Sequence, residues 1–259
     1  MAEPDAATKS GTVDAQWLAP VLLLLAGLGW WWSAVTADDM DADMGMGSGM
    51  DMGGHAAMSF GAFVVAWVAM MGAMMLPAVL PVVRLYARAA ARGTVAPVIV
   101  FLAGYAVVWS AMGVPVYFLW RELDEPLAEG SATVGRVAGG VLVAAAIYQL
   151  SPLKSVCLRH CRSPLSFFMQ HGTNLQRPAG ALRVGAHHGL YCLGCCWMLM
   201  AVLIALGTME LRWMAVVAAI ILLEKVSPIG ERVAVVAGVA FLAAGAFLLL
   251  DPTAIADLT

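Results

Sequence analysis

Six long apolar runs constrain this chain more than any other feature: Trp17 to Val35, Phe60 to Val83, Ala96 to Trp120, Val137 to Leu153, Leu190 to Leu206 and Val233 to Leu250. About 20 residues at roughly 1.5 Å rise cross a hydrocarbon core of about 30 Å, so each run can form a membrane helix. A shorter run, Leu211 to Leu223, reaches only about 20 Å and follows the polar corner Gly207-Thr208-Met209-Glu210. Composition agrees: 62% of the 259 residues are apolar and 12% are charged, about half the charge of an average soluble chain. The expected solvent is therefore lipid, and a net charge of -3 gives nucleic acid nothing to bind.

The loop charges favour seven spans. With the N-terminus in the cytoplasm, the inner face receives Lys9, Arg84, Arg88, Arg92, Lys154, Arg159, Arg162, Arg177, Arg183, Lys225 and Arg232, eleven of the fourteen basic residues. The outer face keeps Arg121, Arg136 and Arg212, together with Asp38, Asp39, Asp41, Asp43, Asp51 and the acidic stretch from Glu122 to Glu129. This is the positive-inside pattern. If Leu211 to Leu223 failed to cross, Lys225 and Arg232 would move outside and weaken it. The expected fold is an all-α polytopic helical membrane bundle of seven spans, N-terminus in and C-terminus out. Its parts are a tail at 1–16, an anchor at 17–35, an outer loop at 36–59, a helical membrane domain at 60–250 and a C-terminal tail at 251–259. The first run ends in Trp30-Trp31-Trp32 and follows Glu3, Asp5 and Asp14, which reads as a retained anchor with an interfacial belt rather than a signal peptide.

The outer loop has unusual chemistry. From Asp38 to Met58 it holds six methionines, five aspartates and His55 in 21 residues. A flexible glycine-rich loop gains nothing by exposing methionine, whereas a thioether is a soft ligand that selects Cu(I) and needs no deprotonation. Met44, Met46, Met50, Met52 and His55 are therefore candidate ligands of a metal lure. The plainer alternative is an acidic linker whose methionines dip into headgroups. In the second run, Met70 and Met74, like Met71 and Met75, stand four apart and share a helix face. That spacing can hand a soft cation along one turn, although ordinary core methionine beside Pro77 explains it too. An external methionine-rich segment with a Met-x-x-x-Met helix resembles the eukaryotic high-affinity copper transporters.

The densest signal is cysteine. Cys157, His160 and Cys161 follow the fourth run; Cys192, Cys195 and Cys196 stand near the start of the fifth, with His187 and His188 one turn before. Each trio has the spacing i, i+3, i+4 and forms one patch on a helix. All five cysteines thus fall in two potential chelating patches. At a reducing cytoplasmic end a structural disulfide would not persist. Cys192 is expected about one turn inside the membrane boundary and Cys157 about one turn outside it, so a modest re-entry of the connecting segment joins them. The basic residues Lys154, Arg159, Arg162 and Arg183 are expected to lower nearby thiol pKa values. The candidate metal ligands here are Cys157, His160, Cys161, His188, Cys192, Cys195 and Cys196; redox thiols or plain packing are the alternatives.

Other polar residues read more simply. Gly135-x-x-x-Gly139 and Gly185-x-x-x-Gly189 permit close helix approach but lie at opposite depths, so each is expected to pack elsewhere. Glu224-Lys225 reads first as a pair of snorkelling interfacial charges, and Gln149, beside Tyr148, as a hydrogen-bond donor to a neighbouring helix. No Ser-His-Asp set, phosphate loop, dinucleotide fingerprint or His-Glu-x-x-His sequence is present, which weighs against an enzyme.

The segments Tyr148-Gln149-Leu150-Ser151-Pro152-Leu153-Lys154, Cys157-Leu158-Arg159-His160-Cys161-Arg162-Ser163-Pro164 and Gly189-Leu190-Tyr191-Cys192-Leu193-Gly194-Cys195-Cys196-Trp197-Met198-Leu199-Met200 resemble a family of bacterial predicted metal-binding integral membrane proteins. The resemblance runs from about Trp67, through Ala73-Met74-Met75-Leu76-Pro77, to Glu224-Lys225. It implies a multi-pass protein of the bacterial inner membrane that binds metal through Cys157, His160, Cys161, Cys192, Cys195 and Cys196, without implying a reaction. The expected activity is capture, transport or delivery of Cu(I), favoured over Zn(II) and over an iron-sulfur cluster or haem. The lipid bilayer is the expected partner, with a membrane complex or homo-oligomer. The rivals are a redox or enzyme subunit with a Cys/His-ligated centre and a zinc-stapled assembly partner.

Overall fold

A computed structural model describes residues 15–45, 59–91, 96–128, 132–163, 174–206 and 211–257. Among these residues there are eight α-helices and no strand: α1 Ala15–Gly45, α2 Phe60–Ala91, α3 Val98–Ala128, α4 Ala132–Gln149, α5 Pro152–Arg162, α6 Pro178–Ala205, α7 Leu211–Val226 and α8 Gly230–Leu250. Short 3-10 turns occupy Asn174–Gln176 and Pro252–Asp257. Six of the helices are long and apolar enough to cross a membrane, namely α1, α2, α3, α4, α6 and α8. The doubtful seventh run forms α7, whose 16 residues give about 24 Å and fall short of a full hydrocarbon core.

Several boundaries differ from the sequence expectation. α1 does not stop at Val35 but continues through Thr36 to Gly45, so the first ten residues of the expected outer loop are helical. The fourth span starts at Ala132, not Val137, and ends at Gln149, not Leu153. Ser151 is extended at φ -78 and ψ 149, its hydroxyl accepts from the Lys154 amide, and Pro152 follows; together they stop one helix and cap the next. The fifth span begins at Pro178 rather than Leu190. Arg183, His187 and His188 interrupt its hydropathy, but Pro178 at the first helical position sets the start. Cys192 consequently lies about 21 Å, nearly four turns, along α6, not one turn from its beginning.

Small residues decide which helices touch backbone to backbone. α3 and α6 run parallel: a Cβ at Gly185 would collide with the Phe101 carbonyl and one at Gly104 with the Leu182 carbonyl, while Gly189 sits against Tyr105 and Val108. α4 and α8 run antiparallel, with Gly139 against Gly245 and Gly238 against Gln149. The two Gly-x-x-x-Gly segments therefore pack on different neighbours, α3 and α8, as their depths require. α1 packs along α2, and an aromatic group of Phe60, Phe63, Trp67, Tyr117 and Trp120 joins the end of α3 to the start of α2.

α5 is the exception to the apolar plan. It is short and polar, with Lys154, Leu158 and Cys161 buried on one stripe at i, i+4 and i+7. Lys154 Nζ lies 2.7 Å from Glu224 Oε2 and 2.9 Å from Oε1, with the two side chains 1% and 2% exposed. Gln149 Nε2 donates to Glu224 Oε1 at 2.7 Å, and the Gln149 carbonyl accepts from Lys154 Nζ. Arg162 Nη2 donates to the Ser227 carbonyl at 2.7 Å, tying the far end of α5 to the turn between α7 and α8. The expectation that Glu224 snorkels at an interface is thus corrected: it is buried, because Lys154 and Gln149 satisfy it there.

Removing one partner of such a pair leaves a buried charge alone. Lys154→Met is expected to cost about 3–5 kcal/mol and to lower the thermal unfolding midpoint of the detergent-purified protein. Combining it with Glu224→Leu should recover most of the loss. If the double variant is as unstable as the single one, the ion pair is not what holds α5 in place.

Candidate metal centre

The thiols sit on two packed helices. On α6 one turn carries Cys192, Cys195 and Cys196, all buried, with buried His188 one turn earlier. The helix itself orients two of them: Cys195 Sγ lies 3.1 Å and Cys196 Sγ 2.8 Å from the Cys192 carbonyl. From α5, Cys161 reaches across, its Sγ 3.8 Å from Cys195 Sγ. Two sulfurs about 2.3 Å from one tetrahedral metal lie roughly 3.8 Å apart, so this pair already stands at a chelating separation. Cys157, one turn before Cys161, seats its sulfur over Gly194, where a Cβ would come within 2.9 Å of it. Gly194 is the reason α5 can approach so closely, and the Tyr148 hydroxyl donates to its carbonyl.

The α5 thiols are not activated as the sequence implied. Burial pushes the Cys157 thiol up, with the nearby Cys195 adding to the effect. The hydrogen bond to Cys195, followed by burial, holds Cys161 well above the ordinary thiol range. Both are thiols at neutral pH, so a metal would release their protons on binding. Three of the four basic residues expected to lower them are engaged elsewhere, Lys154 by Glu224, Arg162 by Ser227 and Arg159 by the Ser155 carbonyl at 3.3 Å, and the fourth, Arg183, is exposed on α6.

A different cation serves the thiols. Lys225 Nζ donates to Cys192 Sγ at 2.9 Å, and the Tyr105 hydroxyl from α3 lies 3.0 Å from the same sulfur. Sequence reasoning placed Lys225 at an interface and passed over Tyr105. The signal for Tyr105 was a phenol in the middle of an apolar run, which is stable there only with a partner for its hydroxyl. Met75 and Met71 line a cavity of about 380 Å³ between α1, α2 and α3, whose wall also includes Tyr105, Trp67 and Trp109. The thioether face on α2 and the thiol face on α6 therefore meet at Tyr105 and Lys225.

The imidazoles divide. His188 is buried near the rings of Phe101 and Tyr105, at 6.0 and 6.1 Å between centroids. His160 stacks flat on Tyr191 at 4.3 Å with Nδ1 2.9 Å from the Val156 carbonyl, and His187 approaches the same tyrosine at 4.9 Å. Among the described residues no three His, Cys, Asp or Glu side chains gather as one metal-holding group; the closest approach of the two trios is the Cys161–Cys195 pair. Met46, Met50, Met52 and His55 lie outside the described residues, and Met44 falls in the last turn of α1.

Comparison with curated proteins and with solved structures gives no match. Among protein families, the one described as PpoB2, copper chaperone, matches residues 64–248. That stretch runs from α2 nearly to the end of α8 and contains every cysteine, Met71, Met75, Tyr105 and Lys225. The chain belongs to the PpoB2 copper chaperone family.

Proposed function

We propose that this protein is a multi-pass protein of the bacterial inner membrane that captures Cu(I) at its outer methionine-rich loop and passes it along Met71 and Met75 to the paired thiols of α5 and α6. Copper is cargo in this reading. Six helices of spanning length support the membrane setting, and the basic residues of the loops support an inward N-terminus. The observation that carries the reading is the 3.8 Å separation of Cys161 and Cys195 Sγ, in a chain whose family is described as a copper chaperone. Thioether and thiolate sulfur are the donors that select Cu(I) among biological metals. A gradient also follows from the ligands: thioethers on a glycine-rich chain lose ordering entropy for each ligand recruited, whereas Cys192, Cys195 and Cys196 are already fixed on one helix turn, so the ion runs inward.

Replacing Cys192, Cys195 and Cys196 together by serine keeps the side-chain size and removes the soft donors. Copper bound by the purified protein, measured by elemental analysis, should fall to background while the protein still inserts and remains monodisperse. Unchanged copper content would remove the thiol site.

Deleting Asp38 to Met58 should impair loading only when copper is scarce, because the loop raises local concentration without enclosing the ion. Excess copper should restore the deletion variant and leave the triple serine variant empty. If zinc restores it as well as copper, a zinc-stapled scaffold is the better account.

A further inference from the structure

Lys225 follows Glu224 in the chain yet serves other atoms. Its ammonium donates to Cys192 Sγ at 2.9 Å and lies 3.8 Å from Met75 Sδ, joining α7 to α6 and to α2. The Tyr105 hydroxyl stands on the same Cys192 sulfur at 3.0 Å. Met75 and Tyr105 both face the cavity of about 380 Å³ that also takes in Met71. A thioether is a weak acceptor, and an ammonium is a compact, strongly hydrated charge. Two sulfurs of different helices are thus turned toward a hard cation, where their chemistry suits a soft one of the same charge.

Resting on the function proposed above, we infer that Met75 Sδ and Cys192 Sγ form a waypoint for Cu(I) between the cavity and the Cys161–Cys195 pair, and that the Lys225 ammonium is its tethered stand-in. When the ion arrives, bonds form from copper to the two sulfurs, the Cys192 S–H bond gives up its proton to solvent, and the hydrogen bond from Nζ to Cys192 Sγ breaks. The ammonium keeps its protons, copper stays Cu(I), and no electron moves. Lys225 can withdraw because it is half-buried and one residue from the end of α7, where its long stem reaches the surface. Until then it keeps the sulfur pair from collapsing onto itself or taking a wrong ion. Lys225 is a positioning residue and contributes no ligand.

The test is an amine footprint on the full-length protein in detergent, with and without Cu(I) under anaerobic reducing conditions, read by mass spectrometry. Lys225 should be protected in the metal-free protein and modified severalfold more after loading, while Lys154, whose ammonium is held by Glu224 and Gln149, stays protected in both states. Met75→Leu keeps the apolar volume and should slow copper loading about tenfold, as expected for a transition state short of one ligand; an unchanged loading rate would overturn the waypoint. Equal modification of Lys225 with and without Cu(I) would overturn the waypoint. That result, with copper still lost from the triple serine variant, removes only the waypoint; copper retained by the triple serine variant removes the proposed function itself.

Discussion

A charged pair buried in an otherwise apolar bundle is the interaction on which the rest of this architecture depends. Neither Lys154 nor Glu224 tolerates loss of water alone, and each is satisfied by the other and by Gln149. Because the three residues come from α5, α7 and α4, the pair fastens a short polar helix into a place that hydropathy would never give it. Only with α5 held there does Cys161 come to 3.8 Å from Cys195, and only with glycine at 194 is there room for Cys157 beside it. An interaction that contributes little net stability, by the ordinary balance of desolvation against attraction, thus determines where the thiols stand.

The apolar helices were legible because each run carries its own signal and needs no partner to be recognised; Gly230–Leu250 matches its expected core closely, and Phe60–Ala90 contains its own and runs about two turns past Val83. The two cysteine trios were legible for the same reason, since i, i+3, i+4 is a local spacing. What escaped was pairing at long range. Glu224 and Lys225 read as interfacial because they stand at the end of the apolar run Leu211 to Leu223, and nothing local announces that Glu224 meets Lys154, 70 positions earlier. The true start of α6 was hidden by Arg183, His187 and His188, polar residues in a helix whose backbone contacts on α3 are made by Gly185 and Gly189. Tyr105 was lost in the hydropathy of α3, though its hydroxyl contacts Cys192.

The chemistry is correspondingly split between two kinds of sulfur. Thioethers lie along α2 and the cavity, thiols along α5 and α6, and the two sets meet at Tyr105 and Lys225. In a chain of the copper chaperone family the division matches two uses of sulfur: weak neutral ligands suit an ion held loosely, and thiols suit one held firmly.

The closed arithmetic of the ion pair has a consequence for α7. Lys154 spends its three donors on the two oxygens of Glu224 and on Gln149, so it has none left for sulfur. Glu224 and Lys225 are neighbours on a helix and point about 100° apart, one toward the ion pair and one toward Cys192. The register of α7 is therefore intolerant of even a single-residue insertion or deletion between Leu211 and Leu223. An insertion would turn the carboxylate toward the thiols and set Leu223 opposite Lys154, whereas a deletion would leave Lys154 facing a second ammonium. The rotation of α7, 16 residues long, is thus set by two adjacent charges that answer to different neighbours.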